Sequence, residues 1–470
     1  VIVICNKRQR LFLKKKLLGA GIFYLLGNIF DKAIAFITVP IFTRLLSPAD
    51  YGVVTSYLSW ASILSVIITL SISESVRSAI IDFPEEMDGY MSSMFGLGTL
   101  SAIIQTSIIS LISLFIPNFL SIDIILYCCL HAYAVSMITM VQWHLVLDYK
   151  YLLRTFTQSI PNILIIVLSI FWIQQLETNK YLGRILPNVI VIFITSLISM
   201  IIYWARGRVI YRKEYWNYAL KFSIPVIFHL LSTVILSQAD RTMILFWWDS
   251  SEAGLYGLAY QFGLIPLVMT TTLENLWLPW FTRKYLNKEK QIINQVLSPF
   301  VWLSLLACVV LIMIFYEVLV FMVEPAYYQS AANIPPIIAS TYFMFLTSTF
   351  VNLEYYLKET RAVATNTIIV AILNIVLNYL FIPQYGAVAA SYSSLVSYIA
   401  LFVLHYIKSR QLDSSLFPIK LYILPILLML VSTIGGMFLL DYILIRYLIV
   451  FICCAFSLFL VYRYYKLFKV

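Results

Sequence analysis

Apolar runs of about 20 residues, repeated along the whole chain, constrain this sequence more than any other feature. A bilayer-crossing helix needs about that many consecutive apolar residues. Fourteen candidate spans occur, centred near Phe30, Leu64, Ile104, Val135, Ile166, Phe193, Leu231, Leu264, Leu311, Phe345, Ile372, Val396, Leu430 and Phe456. The connections between them are short. Of 470 residues, 61% are hydrophobic and 11% charged, whereas a soluble domain carries roughly 25% charged residues. Such a chain cannot offer enough polar surface to water, and an all-α integral membrane protein is expected.

The formal net charge is +10, which raises nucleic acid as a partner. Its distribution argues against that and for a topology signal. With the amino terminus placed in the cytoplasm, 26 of the 32 Lys and Arg fall in the amino-terminal tail, the cytoplasmic connections and the carboxyl terminus, and five on the other side. Lys32 lies inside the first span. This is a strong positive-inside bias, and it predicts an even number of spans with both termini cytoplasmic. The basic start (Lys7, Arg8, Arg10, Lys14, Lys15, Lys16) resembles a signal peptide. The apolar run behind it is too long for one, and no small-residue cleavage site closes it, so an uncleaved first span is expected. The six cysteines show neither a disulfide framework nor metal-ligand spacing.

Two stretches about 200 residues apart look alike. LLSPADYGVVTSY runs from Leu45 to Tyr57. WWDSSEAGLYGLAY runs from Trp247 to Tyr260. Aligning Gly52 with Gly254 sets Asp50 on Glu252 and Val53 on Leu255. Each turn follows one apolar helix and opens the next, as a duplicated unit would. The domains expected are an amino-terminal six-helix bundle (1–215), a second six-helix bundle (216–410) and two additional helices (411–470). An even number of spans per bundle makes the two bundles parallel.

Ionisable residues inside spans cost about 2.5–3.5 kcal/mol each at a helix centre on insertion scales, so they mark candidate sites. Asp31-Lys32 falls near the middle of the first span and Asp240-Arg241 in the seventh. Neighbours in sequence point about 100° apart on a helix, so neither dipeptide neutralises itself. Glu74 and Arg77, three apart, suit an interfacial ion pair. Asn374 and Asn378, four apart, share one helix face and suit interhelical hydrogen bonding. Glu274, Asn352, Glu354, His131, His144 and His229 complete the polar set. Prolines in or beside spans (Pro161, Pro187, Pro225, Pro266, Pro279) bend helices. No Walker sequence, selectivity-filter loop or long outer connection is visible, which argues against ATP-driven transport, a channel and a membrane enzyme.

Three stretches resemble polysaccharide flippases of the Wzx type, relatives of the multidrug/toxic-compound exporters and the lipid II flippases. They are Phe42–Tyr57, Gln238–Tyr260, and above all Thr365–Tyr398 with Asn374, Asn378, Pro383, Gly386 and Ala389-Ala390. The resemblance implies a V-shaped pair of six-helix bundles with a lumen open to one side at a time, in the bacterial cytoplasmic (inner) membrane. It also implies an undecaprenyl-pyrophosphate-linked oligosaccharide as cargo, with no catalytic role. Lys32, Arg241 and Arg77 are then the candidate cations for the pyrophosphate. Asp31, Asp240, Glu74 and Glu274 are candidate carboxylates for a coupling proton or sodium ion, with Asn374, Asn378 and Glu354 as further polar groups of the lumen. No other cofactor is expected. Membrane lipid, a polysaccharide polymerase and chain-length proteins are candidate partners, and O-antigen or capsule units are candidate products. Two alternatives stay open: a cation-coupled multidrug exporter of the same fold, and a membrane scaffold for glycan assembly.

Overall fold

The computed structural model describes residues 34, 36–115 and 122–468. Asp31, Lys32 and the span expected near Phe30 lie outside them. Among the described residues there are α-helices and short 3-10 turns and no strand. Twelve helices among the described residues are long and apolar enough to cross a membrane. One of them, Thr360–Leu412, is two helices joined at Gly386. Large apolar side chains such as Ile103, Phe171, Val431 and Leu448 stand more than half exposed. In water so much exposed apolar surface would aggregate; against lipid it is satisfied.

The chain forms two compact units. One has Tyr57–Leu231 as its body, and the other combines Val39–Ser56 with Ser232–Val470. In the first unit α1 (Met87–Ser113), α2 (Ile122–Leu147), α3 (Tyr151–Gln175) and α4 (Leu182–Gly207) pack around Tyr90, Met94, Phe95, Ala132 and Met137. Here the second span breaks where the sequence reads on. Its helix stops at Ile68, and Leu70 and Ser71 both take positive φ, at 53° and 51°. The interruption is tied down by side chains: Ser101 donates to the Ile68 carbonyl at 2.9 Å, Ser71 to Val66 at 2.8 Å, and Thr69 and Ser136 share a hydrogen bond of 2.5 Å. Backbone freed inside a membrane protein needs such partners.

A second departure concerns the longest cytoplasmic connection, which the sequence leads one to expect from Arg206 to Lys221. The next helix, α5 (Lys213–Trp247), starts at Lys213, so only 208–212 is irregular. The cause is aromatic: Tyr215 and Tyr218 pack edge-on to Phe83 at 5.1 Å, which makes an amphipathic helix start more favourable than a loop.

The second unit contains the end of α5, α6 (Ser250–Leu286), α7 (Lys290–Met322), α8 (Ile334–Tyr356), α9 (Thr360–Leu412), α10 (Ile423–Phe438) and α11 (Ile443–Phe468). The two look-alike turns meet in it. Ser47 and Asp50 bond reciprocally across the start of the helix Pro48–Ile68, a capping box with proline at the first helical position. Asp249 caps α6 by accepting from the Glu252 amide at 2.8 Å. The helices opened by these caps cross at the aligned glycines. A Cβ on Gly52 would collide with the Ser250 carbonyl, and a Cβ on Gly254 with the Pro48 carbonyl. Each glycine thus meets the residue four before the other, a local two-fold relation.

The helix α11 is anchored by Arg446, which is 1% exposed. Its guanidinium forks onto Glu317 of α7 at 2.8 and 2.5 Å and donates to the Met313 carbonyl at 2.8 Å.

Candidate functional site

The geometry of the second unit converges on Asp240. Its carboxylate is 1% exposed and accepts from three side chains: Asn378 at 2.6 Å, Ser394 at 2.6 Å, and the Tyr256 hydroxyl. Two helical hairpins make this possible. The turn at Trp248–Asp249 folds α5 against α6, which brings Tyr256 back beside Asp240. The turn at Gly386 folds α9 on itself. As one straight helix its 53 residues would extend about 80 Å, yet Asn378 and Ser394, eight residues on either side of Gly386, reach the same carboxylate.

Gly386 has φ 58° and ψ −140°, a region reserved for glycine. Its neighbours complete the turn. The Trp248 indole donates to the Ile382 carbonyl at 2.7 Å, closing the first half of α9. The Ala387 amide, which opens the second half, donates to the Glu252 carboxylate at 3.4 Å. A Cβ on Gly386 would lie 3.2 Å from the Trp248 ring. The motif containing Pro383 and Gly386 therefore builds the hairpin that positions two of the three Asp240 donors.

The surroundings of Asp240 are polar. The Asn378 amide also donates to Asn374 Oδ1 at 3.2 Å, while Asn378 Oδ1 and Asn374 Nδ2 are buried with no hydrogen-bond partner. Arg241 turns away from its neighbour: its guanidinium lies 4.3 Å over the Tyr260 ring and bonds Gln238. Its own carbonyl accepts from Ser56 at 3.3 Å. Asp240, Arg241, Asn374 and Asn378 are thus brought together. Sequence reasoning missed Tyr256, Ser394, Gln238 and Tyr260.

The remaining candidates lie elsewhere. Glu74 and Arg77 belong to the first unit and form an ion pair of 3.2 Å, with Arg77 stacked 3.6 Å over Trp143. Glu274 on α6 lies within reach of Ser348 and Asn352 of α8. Glu354 is wholly buried against His405, whose Nδ1 is 2.9 Å from Oε1 and 3.1 Å from Oε2. His405 was not among the expected polar residues. Among the described residues no group of three His, Cys, Asp or Glu has the arrangement of a metal site. The chemistry offered at Asp240 is hard oxygen: one carboxylate, two carboxamides and two hydroxyls, which suits a proton or an alkali cation.

An apolar cavity of about 820 Å³ also lies in the second unit, among α6, α7 and α11. Val268, Met269, Leu311 and Leu458 line it, with Thr270, Thr272, Ser304 and Ser457 as its few polar groups.

A family model described as polysaccharide biosynthesis protein matches residues 17–285. An Lsg-locus protein of Haemophilus influenzae is 22% identical over 304 residues, covering 62% of this chain and 72% of that protein. Among solved structures, the lipid II flippase MurJ in an inward closed conformation is similar with a TM-score of 0.71 and 17% identity, over 95% of this chain and 99% of the other. An inward-facing multidrug resistance MATE family transporter of the MOP superfamily gives 0.63 and 13%, over 82% and 96%.

Proposed function

The chain belongs to the polysaccharide biosynthesis protein family, and on that premise we propose that it flips lipid-linked oligosaccharides across the bacterial cytoplasmic membrane by alternating access, coupled to a proton or sodium ion at Asp240. The observation that carries the coupling is the Asp240 cluster, an ionisable group held in the bilayer interior where a merely structural residue would be apolar. As a carboxylate it accepts from α6 and from both halves of α9. Once protonated it must itself donate, and one of its three partners must turn a hydroxyl to accept or let go. A bound alkali cation supplies positive charge at the same oxygens and competes for the same lone pairs. Occupancy of Asp240 thereby changes which helices are held together, and that difference between states is what ion coupling requires.

Cargo recognition needs an apolar path for a polyprenyl tail and cations for a pyrophosphate. The cavity among α6, α7 and α11 offers the first. Arg241, buried and stacked on Tyr260, is the described cation we assign to the second. Lys32 and Arg77 are the further candidates for the phosphates. Asp31, Glu74 and Glu274 are the further candidates for the ion, with Glu354 as a polar group of the transport path. O-antigen and capsule repeat units both satisfy this chemistry, and a polymerase that extends the repeat unit is the partner such a cargo calls for.

A strain lacking the gene should accumulate lipid-linked repeat units on the cytoplasmic face and lose surface glycan. Asp240→Asn and Arg241→Gln should each lower export at unchanged protein level. Normal surface glycan in the deletion strain, with altered drug susceptibility instead, would replace this reading with the multidrug exporter.

A further inference from the structure

The first unit holds a polar cavity of about 840 Å³ that transport at Asp240 does not use. It is built from the turn before α1, the turn between α2 and α3, and the connection from α4 to α5. Four carboxylates (Glu85, Glu86, Asp88, Asp148) and three cations (Lys150, Arg206, Arg212) line it. Most of these are already matched. Arg212 pairs with Glu86 at 2.5 Å and with Glu214 at 3.0 Å, and Lys150 pairs with Asp148 at 2.6 Å. His144 lines the cavity with its Nδ1 2.6 Å from the Tyr203 hydroxyl. Three charged side chains are left over: Glu85, Asp88 and Arg206 are exposed, and none makes an ion pair or side-chain hydrogen bond among the described residues.

That remainder selects its ligand. An anion alone, a pyrophosphate included, would face a cavity with more carboxylates than cations. A simple amine would leave Arg206 unmatched. A ligand carrying both a phosphate and an amine satisfies all three groups. The setting adds a second requirement. Ile81, Tyr149, Ile210 and Tyr211, next in sequence to cavity-lining residues or lining it themselves, stand 59–76% exposed. Tyr149 and the neighbouring Arg208 sit in left-handed backbone, φ 57° and 52°, at the ends of α2 and α4. A polar recess flanked by apolar side chains at the end of a membrane-spanning bundle has the layout of a headgroup beside its acyl chains.

We propose that this cavity binds a zwitterionic phospholipid with a primary amine, its phosphate on Arg206 and its ammonium on Glu85 and Asp88. The amine must be primary, because a quaternary ammonium has no N–H to give the two carboxylates. Phosphatidylethanolamine has this chemistry. Phosphatidylcholine and phosphatidylglycerol each lack half of it.

The test uses the full chain purified in phosphatidylcholine nanodiscs, with thermal stability followed as phosphatidylethanolamine or phosphatidylglycerol is added at equal mole fraction. Phosphatidylethanolamine alone should raise Tm. Arg206→Gln, and separately Glu85→Gln with Asp88→Asn, should weaken the response about tenfold or more in lipid concentration, since the first removes one charge-assisted hydrogen bond and the second removes two. All three positions are exposed, so these variants should melt normally in phosphatidylcholine alone. If one nevertheless unfolds, retention of the two lipids by the wild-type chain in native mass spectrometry decides instead. An equal response to phosphatidylglycerol, or variants that respond like wild type, would overturn the proposal. Free phosphoethanolamine separates the two sources of this chemistry. If it matches the lipid, the site takes a soluble phosphoamine and the lipid assignment fails.

Discussion

Asp240 shows what one residue in the wrong solvent can organise. Its three donors come from α6 and from both halves of α9, so truncation strands all of them at once. Leaving a buried donor without its acceptor costs about 1–3 kcal/mol, and the three share one carboxylate. Asp240→Ala should therefore lower stability by roughly 3 kcal/mol, read as a fall in the melting temperature of the detergent-solubilised protein. Gly386 carries a separate cost. Gly386→Ala meets both an unfavourable dihedral and the Trp248 ring, and the dihedral alone is worth about 1–3 kcal/mol. Adding Trp248→Leu should recover only part of the lost stability, because the backbone strain stays; full recovery would mean that the ring contact was the whole effect. Asp240, Asn374 and Asn378 were visible in the sequence because acids and amides are rare in apolar spans. Tyr256 and Ser394 were not. Hydroxyls in membrane helices usually bond their own backbone one turn back, as Thr367 does with the Val363 carbonyl, so their presence in a span carries no signal.

Among elements, the pair Glu354 and His405 ties α8 to the second half of α9 with both side chains at or below 1% exposure. A buried pair of this kind adds little over an apolar pair, but removing one partner costs about 3–5 kcal/mol. His405→Leu should accordingly be strongly destabilising and Glu354→Leu similarly so, while the double replacement should melt near wild type. A double-mutant cycle that came out additive would show that the two side chains do not depend on each other. The glycine crossing makes a second prediction at this scale. Gly254→Val places a branched side chain against the Pro48 carbonyl and should abolish stable expression. Gly435→Ala, with nothing within 4 Å of the added Cβ, should be neutral or stabilise by about 0.5–1 kcal/mol as in an ordinary helix interior. The elements themselves were readable from apolar run length, including the division of Thr360–Leu412 into two spans. The break at Leu70–Ser71 and the early start of α5 were not, because Ser101 and Ser136 fix the first and Phe83 the second, and those partners are 33 to 135 residues away in sequence.

For the whole molecule, the sorting of Lys and Arg carries more weight than any single motif. The contrast between the turns is visible in the fold. The turn that joins α5 to α6, Trp248–Asp249, has no basic residue, and the turn at Gly386 has none either. The connections at 206–213, 283–290 and 358–361 hold ten Lys and Arg. Basic residues resist translocation during insertion, so these connections are expected on the cytoplasmic side. Single cysteines introduced into a cysteine-free background test this directly. Cysteine at Arg208 or Lys288 should be protected from a membrane-impermeant maleimide in intact cells and labelled after permeabilisation, whereas cysteine at Ser250 or Gln384 should be labelled at once. Labelling of position 250 and position 208 from the same side would break the count of spans between them and, with it, the expected assignment of Asp240, near the Trp247 end of α5, to the half of the membrane nearer the outside. That assignment matters for mechanism. On the proposed function, a proton or sodium ion driven inward would reach a site near the outer face first, so the expected order of events is loading of Asp240 from outside, with cargo released there.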